Sequence, residues 1–282
     1  MRFNIETFKK KVAPLDLDGI DFDAFRQQPL DESVLRCLRY MHDVEHHTVC
    51  YLRDVLVTDA HRDPDITAFL TFWVFEEFWH GEALGKVLEA HREPGSHERV
   101  RATRQRVGRH DKLMPIYTMV ANRMTRHVPA VHMAWGAINE LTTLTGYRRL
   151  ADLVDHPILH ELLDRIVRDE SRHFYFYYKQ AAQRLERPLT ARVARALVER
   201  FWAPVGSGVQ PATETRFLAR YLFTGGDGRA AARKVDATIR ELPGFGGVPL
   251  LEAWIDRADR RPAPPDPTWS YSRSITPRNS AQ

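Results

Sequence analysis

The chain has 282 residues, 43% of them hydrophobic, with a formal charge of +4 and a sequence pI near 9.1. That length and apolar content support one large core, or one core with appendages. The charge suits an acidic partner and is too small to argue for nucleic acid. No apolar run reaches the ~18–20 residues of a membrane span. The first residues lack a signal-peptide pattern, and Cys37 and Cys50 form neither a CxxC pair nor a disulfide framework. A reduced, cytoplasmic setting is expected.

Helix signals dominate in chain order. Residues 1–30 read as an irregular arm with one short helical turn. Asp31 is placed to cap a helix through ESVLRCLRYMHDVEHHTVCYLRDVLV. Asp63-Pro64 joins an N-cap to a proline at the first helical position. That helix runs to about His91, where EPGS ends it. A short Arg-rich helix near 97–108 follows, then another in MPIYTMVANRMTRH, broken or kinked at Pro129. A long helix covers about 130–154. His156-Pro157 is the next turn, and a helix continues to about Leu185. Smaller helices are expected near 190–202, 211–223, 228–241 and 249–259. Sustained two-residue alternation is missing, so no strands are expected. Residues 261–282, rich in Pro and Ser, read as an extended or disordered tail. The expected plan is therefore all-α: an arm (1–30), a helical domain (31–260, with a core bundle to about 185 and extra helices over 190–260), and the tail.

One helix poses a chemical question. ITAFLTFWVFEEFWHGEAL is nearly all apolar, yet carries Glu76, Glu77 and His80. A buried carboxylate is costly unless it is paired or holds a metal. Only two glutamates have a histidine three residues later: Glu77 with His80, and Glu170 with His173. Positions i and i+3 lie about 60° apart on a helix, so both side chains can reach one ion. Glu77 lies thirteen residues after Pro64, and Glu170 thirteen after Pro157. Both motifs thus sit about 20 Å along their helices. Looking back across each hairpin turn, Glu45 and Glu140 fall at matching heights. The pattern is duplicated: Glu, turn, Glu-x-x-His. Four helices each place a carboxylate at mid-height and two add an imidazole, the ligand set of a di-iron or di-manganese carboxylate bundle. Four carboxylates balance the four charges of two divalent ions.

Glu76 and Asp169 each lie one residue before a ligand glutamate and four before a ligand histidine. They can accept a hydrogen bond from a ring N–H and fix its tautomer; the alternative is a helix-surface acid. His42, His46, His47, His127, His132, His156 and His160 do not recur at ligand height in both halves and stay outside the site.

EEFWHG and DESRH together resemble the paired EExxHG and DExxH motifs of soluble acyl-acyl-carrier-protein desaturases. NELTTLTGYRRLADLVDHP resembles their third-ligand helix, with Glu140 followed by Thr143. The resemblance covers about residues 30–185 and is closest to the short, actinobacterial-type members. It implies a ferritin-like four-helix bundle with additional C-terminal helices and a non-haem di-iron centre with O₂ as co-substrate. The ligands would be Glu45, Glu77, His80, Glu140, Glu170 and His173. Thr143 would stand near the oxygen-binding face, with Asp169 supporting a ligand. A homodimer, a ferredoxin-type electron donor and an acyl chain on acyl carrier protein are also implied. Phe174 follows His173 where the family often has an acid.

Imidazole and carboxylate ligands with open positions suit iron, or manganese. Phe72, Trp73, Trp79, Met133 and Trp135 are expected either to line a slot for an alkyl chain or to be ordinary core. ERVRATRQRVGRHDK carries Arg99, Arg101, Arg104, Arg106 and Arg109, a docking face for an acidic carrier protein or simply a solvated face. The leading expectation is a di-iron oxidase that desaturates a carrier-bound acyl chain. Beside it stand a related oxygenase that hydroxylates or N-oxygenates a small or carrier-tethered metabolite, a non-catalytic metal-binding bundle, and a metal-free bundle.

Overall fold

The computed structural model describes residues 3–260 of the chain; the Pro/Ser-rich tail lies outside the described residues. These residues form twelve α-helices and no β-strand. An arm carrying α1 (Ile5–Lys9) and α2 (Ala24–Gln27) precedes α3 (Glu32–Glu45) and α4 (Thr48–Leu56). The bundle continues with α5 (Pro64–Ala90), α6 (Ser96–Met124), α7 (Val128–Leu153) and α8 (Pro157–Leu185). Four shorter helices close the chain: α9 (Pro188–Phe201), α10 (Ala212–Phe223), α11 (Gly225–Arg240) and α12 (Leu251–Asp259). The all-α expectation holds.

The helix starts follow from local chemistry. The Asp63 carboxylate accepts from the backbone N–H groups of Asp65 and Ile66 at 3.0 and 3.3 Å, a cap worth about 1 kcal/mol. At α8 the cap is the His156 ring, whose Nδ1 accepts from Leu159 N at 3.2 Å. Pro129 opens α7 within its first two positions instead of breaking it, because a first-turn proline forfeits no intrahelical hydrogen bond.

Two helices differ from the sequence expectation. The run from Asp31 divides at His46-His47 into α3 and α4, directly after Glu45. There the Thr48 hydroxyl donates to the Glu45 carbonyl at 2.6 Å, taking a backbone acceptor from the helical ladder. The two short helices of the 97–127 stretch are joined end to end as α6, across Gly108 at φ 57°. A left-handed residue there costs least as glycine.

The α7–α8 hairpin is the most extensively packed pair, and α3 lies along α5. α9, α10 and α11 pack on α7, and α12 packs on α10 and α11. One continuous core runs from Phe8 and Phe25 of the arm to Ile255 of α12. The arm is therefore a strap with buried anchors. α5 is apolar in almost every direction. Its inner face is buried, whereas Phe75 and Phe78 point outward at 39% and 48% exposure. No helix among the described residues is long and apolar enough to cross a membrane.

Candidate metal centre

Glu45 comes from the last position of α3, Glu77 and His80 from α5, Glu140 from α7, and Glu170 and His173 from α8. All six are buried, and His80, Glu170 and His173 have no exposed surface. They form two overlapping quartets. Glu45, Glu77, His80 and Glu170 offer ligand atoms all within 4.8 Å of one another, and so do Glu77, Glu140, Glu170 and His173. Glu77 and Glu170 belong to both. Each quartet could hold a divalent ion, with Glu77 and Glu170 common to both, a donor set that suits a metal pair.

The unsatisfied atoms fit such ions. His80 Nδ1 lies 3.2 Å from Glu170 Oε1, and His173 Nδ1 lies 2.9 Å from Glu77 Oε1. Yet His80 Nδ1, His173 Nδ1, Glu77 Oε1 and both Glu170 oxygens have no hydrogen-bond partner. Buried polar atoms are rarely left so. These converge on a common space without being aligned with each other.

Charge among the six side chains is shared unevenly. Burial, reinforced by Glu170, holds Glu77 and Glu140 well above the ordinary carboxylate range. Burial likewise raises Glu45. Burial would raise Glu170 too, but the two imidazoles bring it down to about 2. Burial opposes a charged His80, yet the hydrogen bond to Asp169 and the nearby Glu170 carboxylate bring it up to about 9. A divalent ion bound here would favour the deprotonated carboxylates and neutral imidazoles.

Glu76 and Asp169 support the imidazoles crosswise. His173 Nε2 pairs with Glu76 Oε2 at 2.8 Å and His80 Nε2 with Asp169 Oδ2 at 3.3 Å. This corrects the same-helix pairing expected from the four-residue spacing. α5 and α8 run antiparallel, so a step of four residues along one matches a step of four back along the other. Each acid lies level with the other helix's histidine. Arg172 joins the two acids, placing Nη2 2.5 Å from Glu76 Oε1 and Nη1 2.7 Å from Asp169 Oδ1. Sequence reasoning missed Arg172. Its signal was the need for a cation beside the buried Glu76 and the half-buried Asp169. It also missed that the buried Tyr147 hydroxyl donates to Glu45 Oε1, although Tyr147 falls on the Glu140 face two turns on.

A mostly apolar cavity borders Glu45. Met41 and Val44 of α3, Thr143 and Gly146 of α7, and Leu218 and Leu222 of α10 line it. Thr143 therefore does face a space beside the centre. The aromatic slot expected from Phe72, Trp73, Trp79, Met133 and Trp135 is not this cavity, which none of those five lines. Trp73 and Met133 are core residues. One turn from Glu77 and His173, the rings of Trp73 and Tyr177 meet edge-on at 5.8 Å, and Tyr51 meets Trp73 at 6.0 Å. Trp73 Nε1 and the Tyr51 and Tyr177 hydroxyls are buried without partners.

The arginine stretch is not one surface. Arg99 is buried and pairs with Asp43 at 3.1 Å, which corrects its placement on a docking face. Ser96, Arg99 and Thr103 form the inward stripe of α6. There His42 spans Asp43 at 3.0 Å and Ser96 at 3.1 Å. Arg101, Arg104 and Arg106 lie on the exposed side, Arg106 reaching Gln210 Oε1 at 3.0 Å. The Arg109 side chain lies outside the described residues. No family model, curated protein or solved structure matches this chain.

Proposed function

We propose that this protein is an O₂-dependent oxidoreductase built on a pair of iron ions, or manganese, which desaturates an acyl chain carried on acyl carrier protein. The observation that carries the reading is the pair of buried quartets sharing Glu77 and Glu170. When bound, the metal pair supplies O₂ activation strong enough to remove hydrogen from an unactivated carbon, which no side chain provides. Glu45, Glu77, His80, Glu140, Glu170 and His173 would hold it. Glu76 and Asp169, tied through Arg172, keep each imidazole's Nδ1 turned inward. Tyr147 fixes the free carboxylate of Glu45. The mostly apolar cavity beside Glu45 and Thr143 is where an apolar chain would enter. Desaturation removes two hydrogens from substrate. O₂ leaves as two waters, with two further electrons from a donor such as a reduced ferredoxin and two protons. Arg101, Arg104 and Arg106 form the cationic face for the carrier. In a homodimer, the outward Phe75 and Phe78 are surface that a second copy would cover.

A second reading is favoured by the unpartnered Trp73, Tyr51 and Tyr177 groups. They suit an oxygen-bearing substrate, and so a hydroxylase or N-oxygenase acting on a small or carrier-tethered metabolite. Two measurements test both. Purified protein should hold about two ions per chain; fewer than one, unchanged in Glu77→Ala, removes the centre. Incubation with acylated carrier, reductant and O₂ should give a product about 2 Da lighter, and one about 16 Da heavier selects the second reading.

A further inference from the structure

A second cluster of metal-ligating side chains lies outside the centre, where α4 meets α6. His47 caps the start of α4, and Cys50 stands three residues on, so both share one face of the first turn. Asp111 reaches them from α6. It follows the Gly108 kink by three residues, and Arg53 Nη2 also holds its backbone carbonyl at 2.9 Å. One ligand atom from each of His47, Cys50 and Asp111 lies within 4.8 Å of the other two. His47 turns Nε2 toward Asp111 Oδ1 at 3.5 Å, while its Nδ1 is buried without a hydrogen-bond partner. All three side chains are half-buried, so an ion can reach them and a water can complete the shell.

We propose that His47, Cys50 and Asp111 form a separate single-ion site for zinc. An imidazole, a thiolate and a carboxylate are the donors zinc accepts, and three protein ligands plus water complete a tetrahedron. The thiolate separates this site from the di-metal centre, whose ligands are all carboxylate and imidazole; hard ions prefer the latter and zinc tolerates the former. The opposing feature is Arg53, whose guanidinium donates to both Asp111 carboxylate oxygens, Nη2 to Oδ1 at 3.1 Å and Nη1 to Oδ2 at 3.2 Å. Arg53 already shares itself with Asp54, at 2.8 Å. It can remain with Asp54 when Asp111 turns to a metal, so neither charge is stranded. Arg104 adds positive potential nearby, which makes the negative thiolate essential to the donor set. An ion here would pin α4 to α6 just beyond the break that follows Glu45.

Cobalt titrated anaerobically into the metal-free full-length protein is the test. We expect a thiolate-to-cobalt charge-transfer band that is bleached when zinc is added and that, in Glu77→Gln, saturates at one ion per chain. Cys50→Ser and His47→Gln should lose the band. Asp111→Asn should weaken binding about tenfold or more. Glu77→Gln, which disables the central pair, should keep the band, so failure of the centre and failure of this site are distinguishable. Cys37→Ser should also keep it. Absence of the band in the wild-type protein, or its persistence in Cys50→Ser with unchanged circular dichroism, overturns the proposal.

Discussion

Metal dependence of stability is the most informative perturbation, because the two quartets share two ligands but not the others. A ligand that binds only the folded state stabilises it by RT ln(1 + [L]/Kd), about 2.7 kcal/mol per site at a hundredfold excess over Kd. Two sites give about 5 kcal/mol. At ~2–4 °C per kcal/mol for a chain of this size or somewhat smaller, chelation should lower the melting temperature by roughly 10–20 °C. Glu77 stands in both quartets and Glu45 in one. Glu77→Gln should therefore abolish the whole Fe²⁺-dependent shift, whereas Glu45→Gln should keep about half and retain one ion in the centre. In the metal-free state Glu77→Gln should cost little, since burial already holds this carboxyl well above its usual range and a neutral amide resembles its protonated form. Differential scanning fluorimetry with anaerobic Fe²⁺ or EDTA, beside elemental analysis, reads both quantities. The reasoning is refuted if the wild-type melting temperature ignores metal, or if the two variants lose equal shares.

Three further outcomes are expected. Arg172→Met strands Glu76 and Asp169 without their shared cation, so it should destabilise the protein by about 2–4 kcal/mol in denaturant titration and weaken metal binding about 10–100-fold. Gly136→Ala sets a methyl 2.3 Å from the Tyr177 ring, an overpacked contact that should cost about 1–3 kcal/mol by the same titration. His132 is held neutral by burial, its pKa pushed down to about 4. The unfolded chain takes up that proton near pH 6.5, so the contribution is complete above pH 6.5 and is lost as pH falls toward 4. His132→Phe should therefore flatten the acid side of the stability profile by about 2 kcal/mol, after allowance for the ring's partial exposure; an unchanged profile would show that burial does not hold this ring neutral.

The bundle and the six converging residues were legible because they depend on spacing along single helices. Pro64 and Pro157 set the zero of height, and thirteen residues from each leads to a Glu-x-x-His. What spacing could not supply was the rotation of one helix against another. Glu76 and His80 share a helix, and only the packing of α5 against α8 shows that Glu76 serves His173 instead. Arg172 was hidden for the same reason, since its two partners sit on different helices. Arg99 was misplaced because an arginine-rich stretch reads as solvated, although Ser96, Arg99 and Thr103 already fall on one helical stripe. The break after Glu45 carries no Gly or Pro to announce it; it depends on the Thr48 hydroxyl reaching back to the Glu45 carbonyl.

The crosswise pairing makes neither hairpin self-sufficient. The carboxylate that orients the first hairpin's imidazole belongs to the second, and the reverse holds equally. An isolated α3–α5 hairpin would carry Glu45, Glu77 and His80 with nothing to set its ring. The same mutual dependence would arise between two identical hairpins related by a twofold axis. Orientation of the ligands is thus acquired at the moment the halves dock, so metal competence should emerge in one cooperative step late in folding rather than accumulate helix by helix.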